Sequence, residues 1–148
     1  MSQRIKVQLL KLTATVPSRM STDAAGYDLY ACLVVPCVEL RIREYSIIGT
    51  GIALEIPRGY EGQIRSRSGL AAKHGITVLN APGTVDADYR GEVGVLLVNN
   101  GPYDYVIHDG DRIAQLVIAP IQGSWLEVVD ELDTTERGDG GFGSTGIR

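Results

Sequence analysis

Two carboxylates, a phenol and a guanidinium crowd together in Asp86-Ala87-Asp88-Tyr89-Arg90, just after the polar turn Asn80-Ala81-Pro82-Gly83. A carboxylate mounted on a rigid turn can accept a proton from water and aim the nucleophile it creates. A neighbouring tyrosine offers a flat face to a ring, and the exposed turn backbone can hydrogen-bond a flat polar ligand. Pro82-Gly83 favours a tight turn, which predicts a hairpin between the flanking runs. The second run, from Glu92 through Val98, reads as a buried strand ending at Asn99. The plainer reading of the whole stretch is an acidic β-turn with a tyrosine on the sheet face.

Four other stretches carry polar groups in unusual places. Ala25-Gly26-Tyr27-Asp28-Leu29-Tyr30-Ala31 sets Asp28 in an apolar strand, to serve either a structural polar network or a metal-bound phosphate. Arg65-Ser66-Arg67-Ser68-Gly69 combines two guanidiniums, two hydroxyls and a helix start; it is either an anion site or a solvated basic turn. Gly110-Asp111-Arg112-Ile113-Ala114-Gln115-Leu116 puts Gln115 in an apolar strand, where its amide needs protein or ligand partners.

The fourth stretch, Gly141-Phe142-Gly143-Ser144-Thr145-Gly146, spells G-x-G-x-x-G. Only Ile147 and Arg148 follow it here, so the strand and helix of a dinucleotide fingerprint are not in place, and no Gly-Lys-Ser/Thr marks a P-loop. Glycines still let successive N–H groups converge on phosphate oxygens. Ser144 and Thr145 add hydroxyls, Arg137 a permanent charge, and Phe142 a ring able to stack on a base. The alternative is a C-terminal fringe without function. Arg137-Gly138-Asp139 also matches an adhesion tripeptide, a match too short to carry an argument.

The elements that must hold these groups are strands. Val38, Leu40 and Ile42 alternate with Glu39, Arg41 and Arg43; Ile52, Leu54 and Ile56 alternate with Ala53 and Glu55; Tyr103, Tyr105 and Ile107 alternate with Asp104 and Val106. Turns are predicted at Gly49-Thr50-Gly51, Pro57-Arg58-Gly59, Asn99-Asn100-Gly101-Pro102 and Asp109-Gly110-Asp111. Short strands with frequent turns predict an all-β sandwich or barrel. One short helix is expected, with Ser68 as its cap and Gly75 just past its end. Residues 1–130 read as one domain. Residues 131–148, rich in glycine, read as a flexible arm that cannot build a core.

The chain has 148 residues, 44% hydrophobic and 22% charged, enough for a single sizeable core. Cys32 and Cys37 fit neither a zinc spacing nor a disulfide framework and read as buried or semi-buried thiols in a reducing compartment. No signal-peptide pattern opens the chain, and no apolar run approaches the roughly 20 residues of a membrane span. A net charge of −4 argues against broad contact with nucleic acid; an anionic ligand would need local positive charge or a metal ion.

In order and spacing, A-G-Y-D-L, R-S-G-L-A, N-A-P-G-T-V-D-A-D-Y-R-G-E, G-D-R-I-A-Q-L and R-G-D-G-G-F-G-S-T-G, running from Ala25 to Gly146, resemble the trimeric dUTP pyrophosphatase (dUTPase) family. Ser66 departs from the proline that family members often carry before Arg-Ser-Gly. The resemblance implies a jelly-roll β fold, a homotrimer with shared active sites, and Mg²⁺-dependent hydrolysis of dUTP to dUMP and pyrophosphate. That reaction limits uracil in DNA and supplies dUMP for thymidylate synthesis. It implies that Asp86 is the base and that Gln115 stands near the α-phosphate or the attacking water. Arg67, Ser68 and Gly69 would hold phosphates. Asn80, Gly83, Thr84 and Val85 would read uracil, and Tyr89 would pack under the deoxyribose. Arg137, Phe142, Gly143, Ser144 and Thr145 would close a neighbouring subunit's site. Asp28 would reach, through water, a magnesium ion held mainly by the substrate phosphates. Partners beyond dUTP and sister subunits, such as nucleic acid or a membrane, are not implied. The expected location is intracellular: cytoplasmic, or nuclear in a eukaryotic or viral setting, and not secreted. A dCTP deaminase of the same fold, or a non-enzymatic β-sandwich binding module, are the competing readings.

Overall fold

The computed structural model describes residues 3–142 and 144. Its elements in chain order are β1 (Lys6–Leu9), β2 (Tyr27–Tyr30), β3 (Cys37–Leu40), β4 (Tyr45–Glu55), β5 (Tyr60–Arg65), α1 (Ser68–His74), β6 (Ile76–Val78), β7 (Gly83–Val85), β8 (Glu92–Asn99), β9 (Tyr105–His108) and β10 (Arg112–Pro120). The expectation of an all-β chain with one short helix holds. One four-stranded sheet runs β1-β4-β8-β6, a second runs β2-β10-β5-β7, and β3 and β9 form a ribbon. Every ladder between these strands is antiparallel.

Alternation builds the layers. Val93, Val95 and Leu97 of β8 and Ile48, Ile52 and Leu54 of β4 turn inward from the first sheet. They meet Leu29, Ile64, Val85 and Leu116 of the second, with Leu40 and Ile107 of the ribbon closing one core. Burial of these side chains drives the sheets together, at about 1.5–3 kcal/mol for each large residue. Gly62 of β5 sits where a Cβ would press on the Ile56 side chain at 2.9 Å, so the residue just past β4 packs directly on the β5 backbone.

Four local expectations need correction. Gly49-Thr50-Gly51 is not a turn but an irregularity inside the long strand β4, where the register to β8 shifts and Gly51 takes φ 67. The alternation through Ile42 ends as strand at Leu40; residues 41–44 turn, with Arg43 at φ 65. The turn at Pro82-Gly83 does not join a tight hairpin. β6 and β8 do pair, but the chain between them leaves the sheet, and β7 joins β5 in the other layer. Ser68 does not cap α1: Arg67 holds the cap position without a side-chain cap bond, and Ser68 is the first helical residue. Gly75 does end the helix, at φ 69.

Both cysteines are free, Cys32 buried and Cys37 exposed rather than half-covered. The last strand ends at Pro120, and the described residues beyond it form neither helix nor strand. Trp125, Leu126 and Val128 lie fully out on this segment. Among the described residues no helix is long and apolar enough to cross a membrane.

Candidate active site

Most of the polar residues singled out above fall into two separate constellations, one on the second sheet and one between β7 of that sheet and β8 of the first. The first gathers at one end of β2 and β10. Register pairs Asp28 directly with Gln115. Asp28 is 3% exposed, a burial that an ionised carboxylate tolerates only with partners. Arg112 Nη1 donates to its Oδ2 at 3.2 Å, and Arg67 Nε stands 3.7 Å from its Oδ1. The second distance is an ion pair without a hydrogen bond. Arg67 Nη1 donates instead to the Arg112 carbonyl at 2.9 Å. Arg67 Nε is buried and has no hydrogen-bond acceptor among the described residues. A guanidinium held rigidly by a carboxylate in this way keeps its outer N–H groups aimed and able to receive an anionic oxygen.

Gln115 is half-buried, and Gly26 makes room for it: a Cβ there would lie 3.2 Å from the Gln115 Cβ and 3.4 Å from its Oε1. Ser68 and Gly69 are exposed at the start of α1, where the first backbone N–H groups have no helical acceptor. Ser66 just before them is committed, because its Oγ accepts from the Val78 N–H at 2.8 Å. Behind the helix, the rings of His74 and Tyr105 meet at 5.0 Å. Burial pushes the Tyr105 phenol above its ordinary pKa and the Asp111 charge pushes the same way, against Arg67, so the hydroxyl stays neutral.

The second constellation is a pocket of about 210 Å³ between β7 and β8, lined by Asn80, Gly83, Thr84, Val85, Asp86 and Tyr89. Gly83 and Val85 are buried and fix β7 to β5, while Thr84 and Asp86 face outward. The Asn80 amide packs on Gly83, where a Cβ would meet its Nδ2 at 3.3 Å. Asp86 opens a turn closed by the Tyr89 N–H donating to the Asp86 carbonyl at 3.1 Å. Arg90 ties the same turn through Nη1, which donates to the Ala87 carbonyl at 2.7 Å and the Tyr89 carbonyl at 2.8 Å. The Tyr89 phenol lies against Gly91, where any Cβ would collide with the ring and its hydroxyl.

The two constellations do not meet within one chain. Val85 faces Gly62 across β5, and Gln115 faces Arg65 on the strand's other side. Asp86, one residue past Val85, is therefore about 13 Å from Gln115 along the strand and about 10 Å across it, on the order of 16 Å in all.

Of the arm, Arg137 Nε donates to the Gly140 carbonyl at 2.8 Å, Phe142 is fully exposed at φ 47, and Ser144 is exposed. Gly143 and Thr145 lie outside the described residues. Sequence reasoning assigned nothing to Arg112, Arg90, Gly26 or Gly91. Arg112 stood inside a quoted stretch, but only strand register reveals that it faces Asp28.

A family model described as dUTPase matches residues 13–146. A deoxyuridine 5'-triphosphate nucleotidohydrolase from Syntrophotalea carbinolica is 56% identical over 145 residues, 97% of each chain. One from Anaplasma marginale is 52% identical, over 96% of this chain and 99% of the relative. Among solved structures, the Staphylococcus bacteriophage 80alpha dUTPase with dUPNHPP superposes with a TM-score of 0.87 at 32% identity, covering 99% of this chain and 100% of the phage chain. A mutant dUTPase from phage phi11 of S. aureus, described with a structural Mg(II) ion, has a TM-score of 0.78 at 32% identity, over 87% of this chain and 98% of that one.

Proposed function

The chain belongs to the dUTPase family, and we infer that it hydrolyses dUTP to dUMP and pyrophosphate at a site assembled from the two constellations. The reaction limits uracil incorporation into DNA and supplies dUMP for thymidylate synthesis. The observation that carries the residue assignment is the pocket itself, which gathers Asn80, Gly83, Thr84, Val85, Asp86 and Tyr89 around one cavity. Backbone groups from Asn80 to Val85 read the uracil edges. Tyr89, pressed flat by Gly91, packs under the deoxyribose and leaves no room for a 2′-hydroxyl. Asp86 takes the proton from a water aimed at the α-phosphorus. A carboxylate is a weak base, so most of the rate enhancement rests on alignment and charge stabilisation.

Charge stabilisation comes from the other constellation. Arg67, Ser68 and Gly69 hold phosphate oxygens, with Gln115 at the α-phosphate or the attacking water. Asp28 holds Arg67 and Arg112 in place. Asp86 and Gln115 must act within a few ångströms of one phosphorus, yet one chain separates them by about 16 Å. That separation supports a site shared between chains, with Asp86 and Tyr89 from one subunit and Arg67 and Gln115 from the next, in a closed ring of three. The arm, residues 131–148, closes over a site of the same trimer. Arg137, Ser144 and Thr145 supply phosphate donors there, the Gly143 backbone adds an N–H, and Phe142 stacks on the base for about 1–3 kcal/mol.

Magnesium dependence is general in the family. Among the described residues no three His, Cys, Asp or Glu side chains converge on a point, and both Asp28 oxygens face arginines. Such a donor set fits an ion carried by the substrate phosphates; Asp28, buried between two arginines, would meet its water shell only where the phosphates draw those arginines away. The ion would supply charge neutralisation at the phosphates.

The test is pyrophosphate release from each nucleoside triphosphate in the presence of Mg²⁺. dUTP should be consumed with strong preference over UTP, dTTP and dCTP. Ammonia released from dCTP would point to a deaminase, and no turnover of any triphosphate to a binding module; either result would overturn the reading.

A further inference from the structure

The Tyr89 phenol is held from behind by a relay that starts at Glu92, the last residue of its own motif, and ends outside all five motifs. Its hydroxyl donates to the Glu92 carbonyl at 3.0 Å. The Glu92 carboxylate in turn is clamped to the irregular part of β4: Oε1 accepts from the Gly51 N–H at 2.8 Å and from Lys11 Nζ at 3.2 Å. Lys11 Nζ also reaches the Cys32 carbonyl at 3.5 Å. A Cβ on Gly49 would stand 2.7 Å from Oε1, so the strand is shaped around the carboxylate. The Lys11 and Glu92 side chains are 34% and 35% exposed, which shields them more than a pair standing free in solvent. A charged acceptor taking a backbone N–H in such a place is a firm tether.

We propose that Glu92, backed by Lys11, is a positioning residue for sugar selection. Its side chain pins the first residue of β8 to β4, and its carbonyl fixes the Tyr89 hydroxyl. Together they set the height of the ring beneath the sugar. With the carboxylate gone, only the pairing with Ala53 holds Glu92 at the end of β8; the strand end loosens, the carbonyl shifts and the ring drops, opening space for a 2′-hydroxyl. The proposal rests on the reading of Tyr89 as the surface that excludes that hydroxyl. Lys11, in the N-terminal segment ahead of every motif residue, thereby bears on specificity without touching substrate.

The experiment compares kcat/KM for dUTP and UTP on the full chain. The variants are Glu92→Ala, Glu92→Gln and Lys11→Met, each alone and combined with Tyr89→Phe, with Tyr89→Ala as control. The dUTP/UTP ratio should fall about tenfold in Glu92→Ala, with UTP gaining, and about threefold in Lys11→Met. Glu92→Gln should restore most of it, because its amide oxygen still accepts from the Gly51 N–H. In the Tyr89→Phe background no hydroxyl reaches the Glu92 carbonyl, so the other changes should lose their effect on the ratio. A merely structural role would weaken both substrates together and leave the ratio in place, which overturns the proposal. If Glu92→Ala does not fold, an unchanged ratio in Lys11→Met overturns it equally. A relaxed ratio in Tyr89→Ala beside unaltered Glu92 and Lys11 variants defeats this proposal alone. An unaltered ratio in Tyr89→Ala defeats the reading of Tyr89 as well.

Discussion

Gly75 and Gly101 meet backbone to backbone, leaving no space for a side chain on either. A Cβ on Gly75 would strike the Gly101 nitrogen and Cα, and a Cβ on Gly101 would strike the His74 carbonyl. The contact seats the end of α1 on the turn between β8 and β9, and α1 begins with Ser68 and Gly69. Gly101→Ala must push the helix away or open the turn. We expect a stability loss of about 2–3 kcal/mol, the cost of overpacking a tight contact. The urea midpoint should fall at constant slope, and KM for dUTP should rise because Ser68 and Gly69, which we propose hold phosphates, shift. Parental values for both would show that the contact is slack.

Asn99 anchors the same corner from inside the core. It is fully buried, and its Nδ2 donates to the Leu40 and Tyr103 carbonyls, both at 2.8 Å, while Oδ1 accepts from the Gly101 N–H at 2.9 Å. Asn99→Ala leaves these buried groups unpaired. The expected cost is about 3–5 kcal/mol, since each orphaned group loses its desolvation compensation. Asn99 does not line the Asp86 pocket, so kcat per folded molecule should stay near the parental value. A melting temperature within a degree or two of the parent would contradict the assignment.

Much of this arrangement is legible in the sequence alone. Alternation announced the strands because one face of each is buried, and Asp28 and Gln115 stood out because polar side chains in apolar strands need partners. The errors came where two physical readings share one sequence. Gly49-Thr50-Gly51 looks the same whether the chain turns or bulges, and the choice is made by Glu92, forty-odd positions away, whose carboxylate takes the Gly51 N–H. Pro82-Gly83 does bend the chain, but β5 had an open edge for Gly83–Val85 to join. Ser68 lost the cap position because Arg67 takes up the extended backbone just before the helix. The roles of Arg112 and Lys11 depend on which distant segments the fold brings beside them, Asp28 and Glu92, which no local pattern encodes.

Asp86→Asn keeps the shape of the side chain and removes its basicity. The turn itself rests on the Asp86 carbonyl and on Arg90, so the pocket should survive. We expect turnover of dUTP to fall at least about a hundredfold with dissociation constants little changed. Single-turnover kinetics and binding of a non-hydrolysable analogue separate the two effects. Near-normal turnover would remove Asp86 as the base.

Sharing of the site between chains predicts complementation. Let one chain carry Asp86→Asn and another Gln115→Ala; each homotrimer should be nearly inactive. Unfolded together and refolded, equal amounts assemble at random, and about three-quarters of the trimers are mixed, one minus two eighths. Around a ring of three with two chain types there is one junction of each sense. One site in every mixed trimer therefore joins an intact Asp86 to an intact Gln115, whichever chain is in the majority. About a quarter of the parental activity should return if the sites act independently. If a single chain supplied both residues, no site in any mixture would be whole. The separation of about 16 Å between them in one chain argues against that arrangement. Mixed trimers confirmed by native mass spectrometry, with activity no higher than that of the two inactive parents, would rule the shared site out.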